Sequence, residues 1–145
     1  MTLHLVKLCV GAGSVEELAA WQQERFANER KAGKSARIFH RTFQTPKREA
    51  ELLDGGSLYW VIKGVIQARQ KLIGLEEGRK ADGSRCCLIL LHPQLVSVRP
   101  VPRRAFQGWR YLDPAEAPPD LTRADHDIAA MPAKLRRELA ELCLL

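Results

Sequence analysis

No run in this chain of 145 residues approaches the ~20 apolar residues that a membrane helix needs, and the longest, such as Cys86 to Leu91, is strand-sized. The N-terminus lacks a basic start, a long apolar segment and a small-residue cleavage site, so no secretory leader is read and a cytoplasmic protein is expected. Cysteine is scarce. Cys9, Cys86, Cys87 and Cys143 are too irregular for a disulfide framework, no Cys-x-x-Cys occurs, and all four read as small core hydrophobes. His4, His40, His92 and His126 are scattered, with no pair at ligand spacing, and the Asp125-His126-Asp127 trio would point in different directions on a helix. A phosphate-loop lysine motif and a Gly-x-Ser-x-Gly elbow are both missing. Gly11-Ala12-Gly13 after a strand begins a dinucleotide fingerprint, but Glu stands at position 16, and Glu16 with Glu17 would repel a phosphate at the helix start. No catalytic residue, metal ligand or cofactor is assigned.

One further absence turns the reading toward what is there. From Gly83 to Leu112 there is no Asp and no Glu, while Arg85, Arg99, Arg103, Arg104 and Arg110 interleave late in the segment with Phe106, Trp109 and Tyr111. Fork-shaped donors beside aromatics suit a surface that holds phosphates and stacks on bases. They equally suit a basic rim over buried aromatics. The net charge of +6 is matched by a second segment, Arg25 to Ala50, where eight basic residues face only Glu29 and Glu49. Acids gather instead between Asp113 and Asp127, so the chain is expected to carry a positive and a negative face.

Leu3–Cys9 reads as a first strand and Ser14-Val15-Glu16-Glu17 as a capping box opening a helix from Val15 to about Lys31. At 100° per residue Trp21, Leu18, Val15, Phe26 and Ala19 share one arc, predicting a broad core face. Arg37–Phe43 reads as a strand, Pro46–Leu53 as a short helix, and Ser57–Ile66 as a strand with a bulge or close approach at Gly64. Gln70–Glu77 and Arg85–His92 flank an Asp82-Gly83 hairpin turn, and Leu95–Val101 is a further strand that Pro100 and Pro102 push to an edge. Near the end, Met131, Leu135, Leu139 and Leu142 form an apolar helical stripe. The pattern predicts one domain, 1–145, of α+β class: a strongly bent, mostly antiparallel sheet or small β-barrel with flanking helices.

Three segments together resemble a known family. They are the opening Met-Thr-Leu-His-Leu-Val-Lys-Leu-Cys-Val-Gly, the stretch from Tyr59 to Gln70, and the run from Leu95 to Leu112 through Pro100-Val101-Pro102-Arg103-Arg104. The pattern is similar to the alphaproteobacterial family of domain of unknown function 1489. That resemblance implies a bacterial, cytoplasmic, single-domain protein and carries no activity. The strand bearing Lys63-Gly64 and Arg69, followed by a hairpin and more strands, also resembles the PUA-like barrels of the ASCH and EVE kind, which bind RNA or modified bases. The best reading is a nucleic-acid-binding domain for RNA or a single-stranded or modified base. Arg103, Arg104 and Arg110 would contact phosphates, Trp109, Tyr111 or Phe106 would stack, and Lys63, Arg69 and Gln70 would line a cleft. The alternatives are a protein-interaction or self-association module, including a homo-oligomer, and a small hydrolase or nuclease. No membrane partner is expected.

Overall fold

The structure, a computed structural model, describes residues 2–9, 11–33, 38–104, 106 and 108–121. In chain order it contains β1 (His4–Leu8), α1 (Val15–Lys31), β2 (Ile38–Thr42), α2 (Glu49–Leu52) and β3 (Ser57–Ile62). There follow β4 (Val65–Arg79), β5 (Arg85–Leu91), β6 (Val96–Pro102) and β7 (Trp109–Leu112). The fold is α+β, as expected: mostly strands, in a seven-stranded sheet of order β2-β5-β4-β3-β1-β7 with β6 paired to β4. The order has two ends, β2 and β7, so the sheet is not closed. The expected C-terminal stripe of Met131, Leu135, Leu139 and Leu142, and the Asp125–Asp127 trio, lie outside the described residues.

Every strand pair is antiparallel except β1 with β3, which run parallel with Leu5 beside Leu58 and Lys7 beside Trp60. A parallel pair needs a crossover, and α1, β2 and α2 supply it. The α1 start follows the capping logic with one change. Ser14 Oγ accepts from the Glu17 N–H at 3.1 Å, but the Glu17 carboxylate accepts from Gly13 N–H at 2.7 Å rather than from Ser14. The predicted span of α1 holds, whereas its predicted core face does not. Leu18 alone is buried, Val15, Ala19 and Phe26 are partly covered, and Trp21 is 54% exposed.

Two local expectations are corrected, and one segment gains an element. Gly64 is not a bulge in one strand. With Lys63 it forms the two-residue turn joining β3 to β4, where both take positive φ, 51° and 78°, as a primed hairpin turn requires. The actual bulge is Gln67, an extra residue opposite Trp60–Val61, whose amide donates to Ile62 O at 2.9 Å. Gln70–Glu77 is only part of β4, which runs unbroken for fifteen residues and pairs with β3, β5 and β6. Trp109–Leu112, to which no element is assigned above, is a strand laid antiparallel on β1.

Alternation along these strands makes two apolar clusters, one on each face. Leu5, Leu18, Leu58, Trp60, Ile62 and Ile89 belong to the cluster under α1. Val6, Tyr59, Val61, Ile66, Val98 and Leu112 form the other. Cys9, Cys86 and Cys87 are free and buried, matching their reading as core residues, while Cys143 lies outside the described residues. Gly56 has a steric reason to be glycine: a Cβ there would sit 2.2 Å from Leu3 O and 2.3 Å from Leu52 O.

Candidate functional site

The strand β2 has the sequence Ile38-Phe39-His40-Arg41-Thr42 and among the described strands pairs with β5 alone, and four of its residues, Ile38 to Arg41, border a cleft. That cleft lies between α1 and β2 and holds about 180 Å³. Cys9, Leu18 and Trp60 line it together with the aromatic rings of Trp21 and Phe39. Arg25 lies over Phe39, its guanidinium carbon 4.6 Å from the ring centroid, and Arg41 borders the same space. No Asp or Glu is among the described lining residues.

His40 meets Trp60 edge-on at 5.2 Å and 84°. Burial first, then the charges of Lys7 and Arg25, push its imidazole down to about 4, so the ring is neutral near pH 7. Burial also lowers the Lys7 ammonium below its usual value and raises the Cys9 thiol. The floor is held by a hydrogen-bonded amide pair. Gln70 Oε1 accepts from Trp60 Nε1 at 2.9 Å and from Gln22 Nε2 at 2.9 Å. Gln70 Nε2 donates to Gln22 Oε1 at 2.8 Å and to His92 O at 3.1 Å. All four hydrogen-bonding positions of the Gln70 amide are used, as a wholly buried polar group requires.

A second surface lies on the opposite face. Arg110 sits opposite Val6 in the β1–β7 pairing and therefore shares the face of the second cluster, against which Phe106 packs. Arg103 and Arg110 place guanidinium carbons 5.6 Å and 5.4 Å from the Phe106 ring centroid. With Arg104 and Pro102 they border an open depression of about 400 Å³. Arg103 N–H donates to Gly64 O at 2.9 Å, tying this segment to the β3–β4 turn.

The residues singled out from sequence therefore separate. Arg103, Arg104 and Arg110 come together around Phe106. Trp109 does not join them: it is 9% exposed, its indole N–H donates to Gln44 O at 2.7 Å, and its ring meets Tyr111 edge-on at 4.8 Å. Trp109 belongs to the core cluster on the α1 side of the sheet, so it is packed rather than displayed beside the arginines, contrary to the expectation that it offers a stacking surface there. Tyr111 is partly buried, with its hydroxyl accepting from the Lys47 and Arg48 backbone N–H groups and its ring under the Arg48 guanidinium.

Nor do Lys63, Arg69 and Gln70 line one cleft. Lys63 is exposed at the turn, with its side chain against Gly13. Adjacent in β4, Arg69 and Gln70 point to opposite faces, and Gln70 is sealed in the floor just described. Arg69 donates to both Asp120 oxygens at 2.7 Å and to Ser57 Oγ at 3.2 Å. That pair holds the Asp120 carboxyl below its usual value and closes the 113–120 loop beside His4 and Tyr59.

Sequence reasoning missed the cleft. Trp21 was assigned to the core because it lies on the apolar arc of α1, and His40 was passed over because it has no ligand partner in sequence. The available signal was composition: a tryptophan on a helix whose partner strand alternates aromatic, histidine and arginine. Among the described residues no three His, Cys, Asp or Glu side chains are grouped to hold a metal ion. No described helix is long and apolar enough to cross a membrane.

By sequence the chain belongs to the family described as a protein of unknown function, DUF1489, whose model matches residues 5–145. No curated protein and no solved structure matches it.

Proposed function

We propose that this chain is a cytoplasmic nucleic-acid-binding domain for RNA or single-stranded or modified bases, using the arginine face. The supporting observation is the arrangement of Arg103 and Arg110 about the Phe106 ring, with Arg104 beside them and no acidic residue among the described residues that border the depression. Guanidinium forks match phosphate oxygens, and a ring anchored on an apolar cluster offers a base a fixed surface. Anchoring matters because a side chain already held in place loses little entropy on binding. The PUA-like resemblance adds only a fold-level analogy.

A salt titration of binding to mixed-sequence RNA and single-stranded DNA tests this. Wild type should bind at low salt with affinity that falls steeply as salt rises. Replacing Arg103 and Arg104 together should flatten that slope by about two charges' worth. Phe106→Ala should weaken binding by about 1–3 kcal/mol with the slope unchanged. No binding by wild type at low salt retires the proposal. A second reading, self-association, draws on Phe43, which is 78% exposed just beyond the edge strand β2. Sedimentation across a concentration series distinguishes it.

A further inference from the structure

We propose that the cleft between α1 and β2 binds a flat aromatic acid: one planar ring system carrying a single anionic group. Its size points to such a ligand. At about 180 Å³ it is smaller than the ~300–1,000 Å³ of pockets that take drug-sized molecules, and it suits one flat ring system.

Its walls point the same way. Trp60 and Phe39 present ring surface to the cleft, and Trp21 stands at its mouth, 54% exposed on an arc of α1 that otherwise turns toward the sheet. Three aromatic side chains, from α1, β2 and β3, therefore converge on one cavity, which gives a planar ring several surfaces to pack against.

The charge specifies the anion. Arg25 and Arg41 border the space, and Lys7 lies near enough to depress His40. Burial is the sole cause lowering Lys7, and among the described residues no carboxylate offsets it. Two guanidinium groups bordering the cavity, a partly desolvated ammonium close to His40 and no acid among the described lining residues make a site complementary to an anion. His40 lines the same cavity, where its imidazole can meet a polar edge of the ligand.

The floor is preorganised, since Trp60 is pinned through Gln70 to Gln22 of α1 and to the His92 carbonyl. A ligand would therefore meet a cavity that already exists and need not spend binding energy on ordering it. This site is independent of the arginine face. Trp60 and Tyr59 alternate on β3, so the two surfaces lie on opposite sides of the sheet.

The required anion can come from a free aromatic carboxylate or from a nucleoside monophosphate, so both are used. The full chain is titrated with indole-3-carboxylate and with adenosine and uridine 5′-monophosphates, and the Trp21, Trp60 and His40 side-chain signals are followed by NMR. Cyclohexanecarboxylate and neutral indole serve as controls. At least one anionic aromatic probe should shift those signals saturably and raise the pH at which His40 titrates. Both controls should bind at least tenfold more weakly. Trp21→Ala and Arg25→Gln, which alter exposed helix positions, should each weaken binding at least tenfold with an unchanged thermal midpoint. Tighter binding of the carboxylate or of the nucleotide identifies the source, and either supports the proposal. Silence of the three side chains toward every probe at millimolar concentration overturns it. Equal binding of cyclohexanecarboxylate, or unaltered binding by Arg25→Gln, also overturns it. The Arg103 and Arg104 double variant should bind these probes like wild type, so failure here is separable from failure of the arginine-face reading.

Discussion

Strand β3 and helix α1 both contribute a tryptophan to the cleft, yet they are buried to opposite degrees. All six residues of β3 are buried, whereas of the seventeen in α1 only Leu18 is. The strand is covered on both faces and hydrogen-bonded on both edges, by β1 and β4. The helix touches the sheet through one leucine, a few partly covered side chains and the Gln22–Gln70 amide pair. Burial is therefore concentrated in the strand, whereas the helix leaves most of its side chains partly or fully exposed, with the cleft where the two meet.

The comparison is broken most directly at Leu58, which has no solvent exposure. Leu58→Ala should cost about 2–5 kcal/mol, because it removes buried methyl groups and leaves a cavity that the surrounding strands cannot fill. Urea denaturation measures it, and a loss below about 1 kcal/mol would show that β3 is not the stabilising element.

The next effect lies at the boundary between the two. The unfolded chain protonates His40 near its ordinary value of 6.5, whereas the fold resists protonation until about 4, through burial and then Lys7 and Arg25. The stability contribution of neutral His40 is therefore intact above pH 6.5. It is lost as pH falls from there to about 4, by roughly 3 kcal/mol at completion. His40→Phe should flatten that segment of the pH–stability curve. The same slope in wild type and variant would assign it to other groups.

The smallest effect is expected on the helix. Trp21→Ala should change stability by no more than about 0.5 kcal/mol, the usual range for a surface position. A thermal midpoint several degrees lower would mean that Trp21 carries packing, and the contrast between strand and helix would lose its sharpness.

What could be read from the sequence divides along similar lines. The capping residues Ser14 and Glu17 and the terminal Gly33 fixed α1 to its observed span, and Asp82-Gly83 marked a true turn, with Gly83 at φ 85°. These signals are local. The β3–β4 turn was hidden because Lys63 is an unusual residue at positive φ and apolar strands flank it without a break. The β1–β3 and β1–β7 pairings join segments far apart in the chain, and periodicity carries no information about which distant strands meet. The same ignorance affected the site. Arg103, Arg104 and Arg110 were found by composition, whereas the burial of Trp109 depended on its strand partner Lys7 and on the distant Gln44 carbonyl.

The two-residue turn at Lys63-Gly64 also has a consequence in time. It brings β3 and β4 together by closing almost no chain, and such hairpins form in about 1–10 μs. The parallel pairing of β1 with β3 must wait for a far longer segment to close, one that includes all of α1. The cleft needs that closure, so it is assembled late, on a hairpin already in place. Pulsed hydrogen exchange during refolding should find β3–β4 amides protected before those of β1; simultaneous protection would contradict this order. A chain on its way to the native state can therefore possess its β3–β4 hairpin while the cleft between α1 and β2 does not yet exist.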